Sequence, residues 1–557
     1  MSDPRFHQSL GDRSDRSHRD IRPAGTWNPS SGLNDPISGL PIPLLAAGTS
    51  ALLYELAAAM PHLFPCALLA PLPILAVAPE IATETAAEMA FLAYLVGNLV
   101  SWGGESFAVP LVTMLIAHVA GAAVFATFVA CAAEATRRWQ GWLAALVFPT
   151  FETAFYYALS TQSPHGTWGA PAYTQVDFLP LLQLSSWMGL CGVMFIMSLL
   201  PSGLAVAWYR RRWNMDWVNP ALLGLGTFLI AVVIGQIRLI STPITPAVRV
   251  GIVASEAMAP QSEASDPEDA ADVMTAYAKL VRQVAARGAQ VVVMPEKVVG
   301  VAPNFEWDVV LGFGRIASMS NVWLVVGLNQ LERTPKRNIA AVFGPDGKIV
   351  VAYAKHHPVP NLESDYKPGS RTAIFDAPWG RSAVLISQDL DFPETARELA
   401  AHDVRVVMAP ASDWPGSELI HQRMAVVRGV ECGFSLARAA SAGLVSATDS
   451  RGREIAAQEP VNGQDTVIVA DLPLGTGPTF YSRTDDWFPR LCVVFTILLM
   501  MRMSVTLYYA AQERRRGASR SVRPSGVISV DVAPRDPEAG AEIQPGQVYR
   551  PPPRPPT

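Results

Sequence analysis

The feature that most constrains this chain is a series of apolar runs, each long enough for a helix to cross a bilayer. A spanning helix needs about 20 predominantly apolar residues. Runs of roughly this length occur at residues 41–59, 62–79, 85–102, 107–133, 139–159, 180–208, 218–240 and 488–509. The second run is rich in proline, so the first two runs form either two crossings or one broken, re-entrant hairpin. The sequence therefore predicts an α-helical membrane bundle of about eight spans.

The composition also favours a membrane protein. Of the 557 residues, 50% are hydrophobic and only 16% are charged, whereas a soluble chain usually carries about a quarter charged residues. The net charge is -5, and the arginine clusters are short and lie beside apolar runs. This pattern predicts contact with a membrane and no nucleic-acid partner.

Basic residues mark alternate ends of the apolar runs. They occur at Arg137 and Arg138, at 210–212 and at 514–516. The positive-inside rule makes these ends cytoplasmic. With eight spans, both termini lie in the cytoplasm and residues 241–487 lie on the opposite side, which in the inner (plasma) membrane of a bacterium is the periplasm or the outer face.

Between the seventh and eighth runs, short β-rich segments such as VRVGIVAS and DTVIVADL alternate with helix-like stretches, a pattern typical of a layered α/β domain. The first 40 residues and the Pro/Arg-rich C-terminal segment have a composition typical of disorder. The predicted division is a disordered cytoplasmic tail at 1–40, seven transmembrane helices within 41–240, an extracytoplasmic α/β domain at 241–487, an eighth helix at 488–510 and a disordered cytoplasmic tail at 511–557.

Three polar residues follow successive apolar runs within the α/β domain. Glu296 ends VVVMPE, Lys355 lies in VVAYAKHHPVP, and Ser387 lies in AVLISQDLDFPE. This order of acid, lysine and candidate nucleophile resembles the Glu, Lys, Cys signature of the nitrilase (carbon-nitrogen hydrolase) superfamily. The chain is similar to one membrane branch of it, the apolipoprotein N-acyltransferase family, from about residue 41 to about residue 510. The likeness includes the membrane segments on both sides of the domain.

The resemblance implies a nitrilase-like αββα sandwich inserted in the membrane bundle. It gives Glu296 the role of base, Lys355 that of the cation that stabilises an oxyanion, and Ser387 the position of the nucleophile. Glu363 matches a second glutamate that supports the site in the family. Asp389 stands where the family reads glutamate in Cys-Tyr-Glu.

Further residues are expected to lie around the site. Trp414 and its neighbour Asp413 match a family segment that lines the pocket. Arg428 and Glu431 lie three residues apart on a predicted helix and are expected to form a structural ion pair. Two aromatic residues, Trp168 and Tyr173, lie in a loop that resembles one in these acyltransferases, although they are equally compatible with ordinary positions at the membrane interface.

The resemblance implies a phospholipid as acyl donor and the N-terminal amine of a lipoprotein as acceptor, and it implies no cofactor. His356 and His357 are the residues most suggestive of a metal site. Adjacent histidines do not easily face one ion, and no zinc-type spacing accompanies them. No metal site is therefore predicted.

The serine at position 387 leaves three functions open. A serine hydroxyl is much harder to deprotonate than a thiol and usually depends on a histidine, so His356 or His357 would have to approach it. The first function is an N-acyltransferase that forms an ester with Ser387. The second is a catalytically silent scaffold that binds lipid or lipoprotein, and the third is a membrane-anchored amidase. The changed neighbours of Ser387 favour the scaffold, and the number of spans disfavours the amidase.

Overall fold

The structure is a computed structural model that describes residues 41–98, 110–241, 243–255, 258, 266–331, 334–414, 416–459 and 464–521. The predicted tail at 1–40 and residues 522–557 of the other predicted tail lie outside the described residues. The chain divides into two units, Met1–Met503 and Ser504–Thr557. The first unit contains the site.

The N-terminal part of the first unit is helical. Its described α-helices are α1 (Pro41–Ala59), α2 (Phe64–Leu69), α3 (Leu72–Val77), α4 (Thr83–Val96), α5 (Leu111–Arg138), α6 (Val147–Gln162), α7 (Leu179–Leu182), α8 (Ser185–Met188), α9 (Leu190–Arg212), α10 (Val218–Ala221) and α11 (Thr227–Ile240). A π-helical turn, Leu222–Gly226, joins α10 to α11. Buried aliphatic and aromatic side chains from α3 to α6 and α9 form one shared core.

Five described helices are long and apolar enough to cross a membrane, against the eight spans predicted from sequence. They are Pro41–Ala59, Leu111–Arg138, Leu190–Arg212, Val218–Ile240 and Trp487–Glu513. The eight-span prediction is therefore not confirmed.

Local chemistry explains three of the differences. Two prolines break the run at 62–79 into the short helices α2 and α3, because proline lacks the N–H that a continuous helix needs. The run at 139–159 begins with a 3-10 segment, Trp142–Leu146, which leaves 16 residues for α6. The run at 85–102 extends beyond α4 into residues outside the described ranges.

The α/β domain contains two packed sheets. Its strands are β1 (Ala247–Ser255), β2 (Val291–Val293), β3 (Val299–Val301), β4 (Trp323–Gln330), β5 (Arg337–Phe343), β6 (Ile349–Ala354), β7 (Ala373–Ala377), β8 (Gly380–Val384), β9 (Val406–Ser412), β10 (Ser435–Ser441), β11 (Val445–Thr448), β12 (Glu454–Gln458) and β13 (Asp465–Pro473). One sheet has the order β13-β1-β2-β4-β5-β6, with β3 beside β4, and the other has the order β12-β11-β10-β9-β8-β7.

Alternating side chains place each sheet between two apolar layers. In β2, Val291 and Val293 belong to the core shared by the two sheets, whereas Val292 belongs to a core under the outer helices. These helices are α12 (Pro267–Ala286) and α13 (Glu306–Ser320) on the first sheet, with α14 (Pro393–Ala401) and α15 (Glu418–Cys432) on the second. The layers follow the predicted order of helix, sheet, sheet and helix, which confirms the predicted nitrilase-like α/β fold.

After the domain come α16 (Phe480–Thr484) and the long helix α17 (Trp487–Ser521). Residues 511–521 continue α17, so the prediction that disorder begins at residue 511 is wrong. This segment, AQERRRGASRS, is rich in good helix formers and extends a helix that is already nucleated.

Candidate active site

Glu296 links the two sheets of the domain. It is the third residue after β2, and its backbone N–H donates to the carbonyl oxygen of Ala411 in β9 at 3.2 Å. Its Oε1 accepts hydrogen bonds from Lys355 Nζ at 2.8 Å and Asn338 Nδ2 at 2.5 Å. The side chain is buried, so one carboxylate oxygen is committed to a cation and an amide in a dry environment.

Lys355 comes directly after β6 and is 2% exposed. Its Nζ lies 2.8 Å from Glu296 Oε1 and 2.9 Å from Glu363 Oε2. Burial alone would lower the pKa of this lysine, but the two carboxylates outweigh burial and raise it above its ordinary value. Lys355 is therefore a fixed positive charge at the centre of the domain.

Glu363 is the second carboxylate of this group. Its Oε1 lies 2.5 Å from Lys297 Nζ and accepts from Asn338 Nδ2 at 2.9 Å, and its Oε2 accepts from the backbone N–H of Val359 at 2.8 Å. Burial opposes ionisation, yet Lys355 and Lys297 lower the pKa of Glu363 to about 2. We call Glu296, Lys297, Asn338, Lys355 and Glu363 the carboxylate–lysine cluster.

Sequence reasoning missed two members of this cluster, Lys297 and Asn338. Burial lowers the pKa of Lys297, but Glu296 and Glu363 offset this and raise it overall. Lys297 directly follows Glu296 and has a φ of 52°, which turns its side chain back toward the same cluster. The adjacent acid and lysine in MPEK are a signal for this pair, whereas Asn338 is one polar residue within a strand and gives no such signal.

Ser387 begins a 3-10 segment, Ser387–Asp391, shortly after β8. We call this segment the nucleophile turn. Val384, the last residue of β8, is paired in parallel with Met408 of β9, and Ala411, whose carbonyl oxygen holds the Glu296 backbone, lies toward the C-terminal end of β9. The register therefore brings Ser387 and Glu296 to the same strand end.

The backbone of Ser387 has a φ of 44°, in the left-handed region. A residue with a Cβ is rarely found there, and such strain is concentrated at functional sites. A sharp strand-to-helix turn of this kind exposes the side chain of a nucleophile in other enzymes. Among the residues that the structure describes, none forms a hydrogen bond with Ser387 Oγ.

Asp389 ties the nucleophile turn to the segment that carries Lys355. Its Oδ2 accepts from the Tyr353 hydroxyl at 2.8 Å and from the Ile386 N–H at 3.2 Å. Its Oδ1 accepts from the N–H groups of His356 at 3.1 Å and His357 at 2.9 Å. One fully buried carboxylate thus fixes the relative positions of Lys355 and Ser387.

The two adjacent histidines contact Asp389 and not the serine. His357 Nδ1 lies 3.1 Å from Asp389 Oδ1, and its ring stacks on Phe392 with centroids 3.7 Å apart. His356 Nε2 lies 3.2 Å from the carbonyl oxygen of Arg371. Within the described ranges, no group of three or more His, Cys, Asp or Glu side chains is arranged to hold a metal ion.

The neighbouring residues Asp413 and Trp414 have different contacts. Trp414 stacks on Trp168 with ring centroids 5.7 Å apart and meets the His421 ring edge to face at 4.7 Å. Asp413 points elsewhere, because its Oδ1 lies 2.5 Å from Arg438 Nη2 in a fully buried ion pair. Trp414 therefore lies near the nucleophile turn, whereas Asp413 has a structural partner.

The loop before α7 packs on the nucleophile turn. Thr167 donates to the carbonyl oxygen of Asp391 from its backbone N–H at 3.1 Å and from its hydroxyl at 2.8 Å. Tyr173 is 1% exposed, shares a hydrogen bond with Thr167 and accepts one from Arg428 at 3.2 Å. Tyr173 is therefore a buried structural residue, whereas Trp168 is half-buried and stacks on Trp414 of the α/β domain.

Arg428 and Glu431 form the predicted ion pair at 2.8 Å, and both are fully buried. Glu431 also accepts from the Leu190 N–H at 2.6 Å. Helix α15 of the domain is thereby attached to the start of the membrane helix α9. The pair has the structural role that the spacing predicts.

Two cavities lie between the membrane helices and this loop. One, of about 420 Å³, is lined by Tyr54, Tyr94 and Glu152. The other, of about 500 Å³, is lined by Met194, Arg397 and Asp486. Trp168 and Tyr156 border both cavities, whereas neither is lined by Glu296, Lys355 or Ser387.

Two parts of the chain match families of known proteins. Residues 252–477 match the carbon-nitrogen hydrolase family, and residues 50–203 match the apolipoprotein N-acyltransferase N-terminal domain. The two matches flank the junction of the membrane helices and the sandwich, and together they cover more than half of the chain. The chain belongs to the apolipoprotein N-acyltransferase family.

Individual relatives agree with this family. An apolipoprotein N-acyltransferase of Geobacter metallireducens is 27% identical over 359 residues, which make up 58% of this chain and 68% of that protein. Another, from Shewanella oneidensis, is 23% identical over 398 residues, or 64% of this chain and 73% of that protein. Among solved structures, an amidase from Nesterenkonia sp. AN1 is 18% identical, covers 42% of this chain and 94% of its own, and has a TM-score of 0.36.

Proposed function

We propose that this protein transfers an acyl chain from a phospholipid to the N-terminal amine of a lipoprotein through an acyl ester of Ser387. The observation that carries the proposal is the carboxylate–lysine cluster, whose buried ammonium lies at the strand end that Ser387 also reaches. Membership of a family whose curated members bear the name apolipoprotein N-acyltransferase supports the same activity.

In the first half of the proposed reaction, Ser387 Oγ attacks the carbonyl carbon of the phospholipid acyl ester. The Ser387 proton passes to a base, which is the role of Glu296 by resemblance to the family. The Lys355 ammonium stabilises the negative charge that develops on the carbonyl oxygen. The carbon–oxygen bond to the glycerol then breaks, the lysophospholipid oxygen takes up the proton, and the acyl chain remains on Ser387.

In the second half, the neutral amine of the lipoprotein attacks the ester carbon of the acyl-enzyme. The bond between that carbon and Ser387 Oγ breaks, and the base moves one proton from the amine to Ser387. The products are an amide and the free enzyme. Lys355 serves both halves because an oxyanion forms on the same carbonyl oxygen each time.

The supporting residues have roles that their contacts suggest. Glu363 is proposed to keep Lys355 charged and directed toward the site, together with Lys297. Asp389 is proposed to hold the Lys355 segment against the nucleophile turn. Trp414 is proposed to shield the turn from water through its stack on Trp168.

The finer membrane topology also belongs to the proposal. We place seven spans within 41–240, the catalytic domain at 241–487 on the periplasmic or outer side of the inner membrane, and an eighth span at 488–510, with the tails 1–40 and 511–557 in the cytoplasm. Basic residues in the last turns of α5 and α9 support this orientation through the positive-inside rule. The cavities between the membrane helices and the loop that carries Trp168 offer space for a donor acyl chain.

The test is a transfer assay with the full chain in phospholipid vesicles. The donor carries a labelled acyl chain, and the acceptor is a diacylated lipopeptide with a free N-terminal amine. The expected product is a labelled amide that Ser387→Ala does not form. Bound lipopeptide without turnover would support the scaffold instead, and hydrolysis of a small amide without transfer would support the amidase.

A further inference from the structure

His421 is a buried histidine that the reaction described so far leaves unused. It lies in the first turn of α15, and its side chain is 4% exposed. Neither ring nitrogen has a hydrogen-bond partner in the part of the chain that the structure describes. A buried polar group without a partner is costly, so its retention calls for a function.

The nearest carboxylate to this imidazole belongs to the nucleophile turn. His421 Nδ1 lies 3.7 Å from Asp391 Oδ1, which is longer than a hydrogen bond but close enough for one to form after a small movement. Asp391 is 2% exposed, so the attraction is little screened by water. Catalytic hydrogen bonds are often long in the absence of substrate and tighten when it binds.

Ser387 and Asp391 are the two ends of one short 3-10 segment. At a rise of about 2 Å per residue, their Cα atoms are on the order of 8 Å apart. Helix α15 packs directly against this segment, and His421 contacts its far end. His421 and Ser387 therefore adjoin opposite ends of one short segment, and the Ser387 hydroxyl has no hydrogen-bond partner among the described residues.

Two indole rings enclose the imidazole. Trp168 meets it at 4.8 Å between centroids and Trp414 at 4.7 Å, both nearly edge to face. This enclosure excludes water, which strengthens the electrostatic coupling between an imidazolium and a carboxylate. Trp168 is held in place because the preceding Thr167 donates twice to the Asp391 carbonyl oxygen.

We infer that His421, positioned by Asp391, accepts the Ser387 proton, so that the chain uses a Ser–His–Asp arrangement where its relatives would use a thiol. The inference rests on the proposed acyl-enzyme and deepens it. Glu296 is less suited to this proton, since its Oε1 is committed to Lys355 and Asn338 and a carboxylate is a weak base for a hydroxyl. In acylation the proton moves from Ser387 Oγ to His421 and then to the leaving oxygen, and in deacylation it moves from the amine through His421 back to Ser387.

The test uses p-nitrophenyl octanoate, an activated ester that requires neither a phospholipid nor a lipoprotein. The full chain in detergent is mixed with the ester, and the rate of octanoyl addition to residue 387 is followed by peptide mass spectrometry. A general base contributes about 10²- to 10⁴-fold, so His421→Ala and His421→Gln should each slow this addition by at least about 100-fold. Asp391→Asn should cause a smaller loss, and His402→Ala, an exposed histidine of the same domain, should cause none.

Two further measurements separate a base from a structural residue. Added imidazole should restore part of the acylation in His421→Ala, because a small base can enter the space that the side chain leaves. In a Ser387→Cys background, His421→Ala should cost far less, because a thiol ionises without strong assistance. Loss of folding in His421→Ala would be recognised by gel filtration. The acylation rate of His421→Gln would then decide whether His421 is the base.

The inference is overturned if both His421 variants acylate Ser387 at the unaltered rate, or if Ser387 of the unaltered chain is never acylated by this ester. It is also overturned if the Ser387→Cys background loses as much as the serine background. His421-dependent acylation without transfer from phospholipid would leave the base assignment intact and refute the proposed donor.

Discussion

The carboxylate–lysine cluster and the nucleophile turn lie at the same end of the sandwich but differ in how their polar groups are matched. In the cluster, Lys355 and Lys297 face Glu296 and Glu363 at distances of 2.5 to 2.9 Å. In and beside the turn, the Ser387 hydroxyl and both nitrogens of His421 have no hydrogen-bond partner among the described residues. The difference teaches that the charged groups of the cluster are paired without substrate, whereas the serine and the imidazole beside the turn are not hydrogen-bonded to any described residue.

The largest expected effect comes from removing the central cation of the cluster. Lys355→Met leaves two buried carboxylates without their shared partner, which costs about 3–5 kcal/mol of unfolding free energy. It also removes the proposed oxyanion donor, so the transfer rate should fall by at least about 100-fold. Thermal denaturation and the vesicle assay measure the two effects.

The matched control for this change is Lys348→Met, which alters a lysine on the exposed turn between β5 and β6. It should leave both quantities unchanged. If Lys355→Met retained full stability, the two carboxylates would not depend on this ammonium, and the contrast between a matched cluster and an unmatched turn would fail.

The next effect concerns the carboxylate that joins the two regions. Asp389→Asn removes a negative charge that accepts bonds from Tyr353 and from three backbone N–H groups. Hydrogen bonds to a charged group contribute about 1.5–3 kcal/mol, so we expect a loss of about 2 kcal/mol. Displacement of Lys355 relative to Ser387 should lower the transfer rate by about 10- to 100-fold.

A matched change at the surface is Asp376→Asn, which affects a carboxylate paired with Arg381 on the exposed β7–β8 hairpin. Rates and stability that fall equally in both variants would mean that Asp389 has no special link to the site. A loss confined to Asp389→Asn would sharpen the comparison, because it would show that the turn depends on the cluster for its position.

The last prediction is a pH dependence of stability that arises from Glu363. Its pKa is about 2 in the folded chain and about 4.3 when unfolded, which corresponds to about 3 kcal/mol of stabilisation at neutral pH. Because the folded pKa is the lower one, this stabilisation is complete above about pH 5 and is lost as the pH falls toward 2. The melting temperature of the unaltered chain should therefore exceed that of Glu363→Gln at pH 6, and the gap should narrow to about half by pH 3. A gap that stayed constant or widened on acidification would show that Glu363 is not held ionised by the two lysines.

Much of the fold could be predicted from local sequence signals. The alternation of β-rich runs and helical stretches predicts the α/β layers, because the spacing of apolar residues differs between a strand and a helix. The number of spans could not be predicted in the same way. Apolar composition does not distinguish one continuous helix from the broken pieces α2 and α3, which are set by proline positions and by packing on neighbouring helices.

Some residues of the candidate site could likewise be predicted from the sequence, whereas others could not. Glu296, Lys355 and Ser387 are predicted because their order along the chain resembles the Glu, Lys, Cys signature of the family, and Glu363 because it falls where the family has a second glutamate. His421 and Asp391 are far apart in sequence and meet only because α15 packs on the nucleophile turn. The adjacent pair His356 and His357 attracts attention in the sequence, but these residues contact Asp389, and their position could be known only from the folded chain.

The most direct measurement of the central claim is peptide mass spectrometry of the full chain after incubation with phospholipid. We expect an acyl adduct on the peptide that contains Ser387, and we expect it to be absent from Ser387→Ala and from Glu296→Gln, which removes the counter-charge of Lys355. An unmodified Ser387 peptide, together with an acylated one in Ser387→Cys under the same conditions, would contradict the account and identify a member of the family whose nucleophile has been silenced.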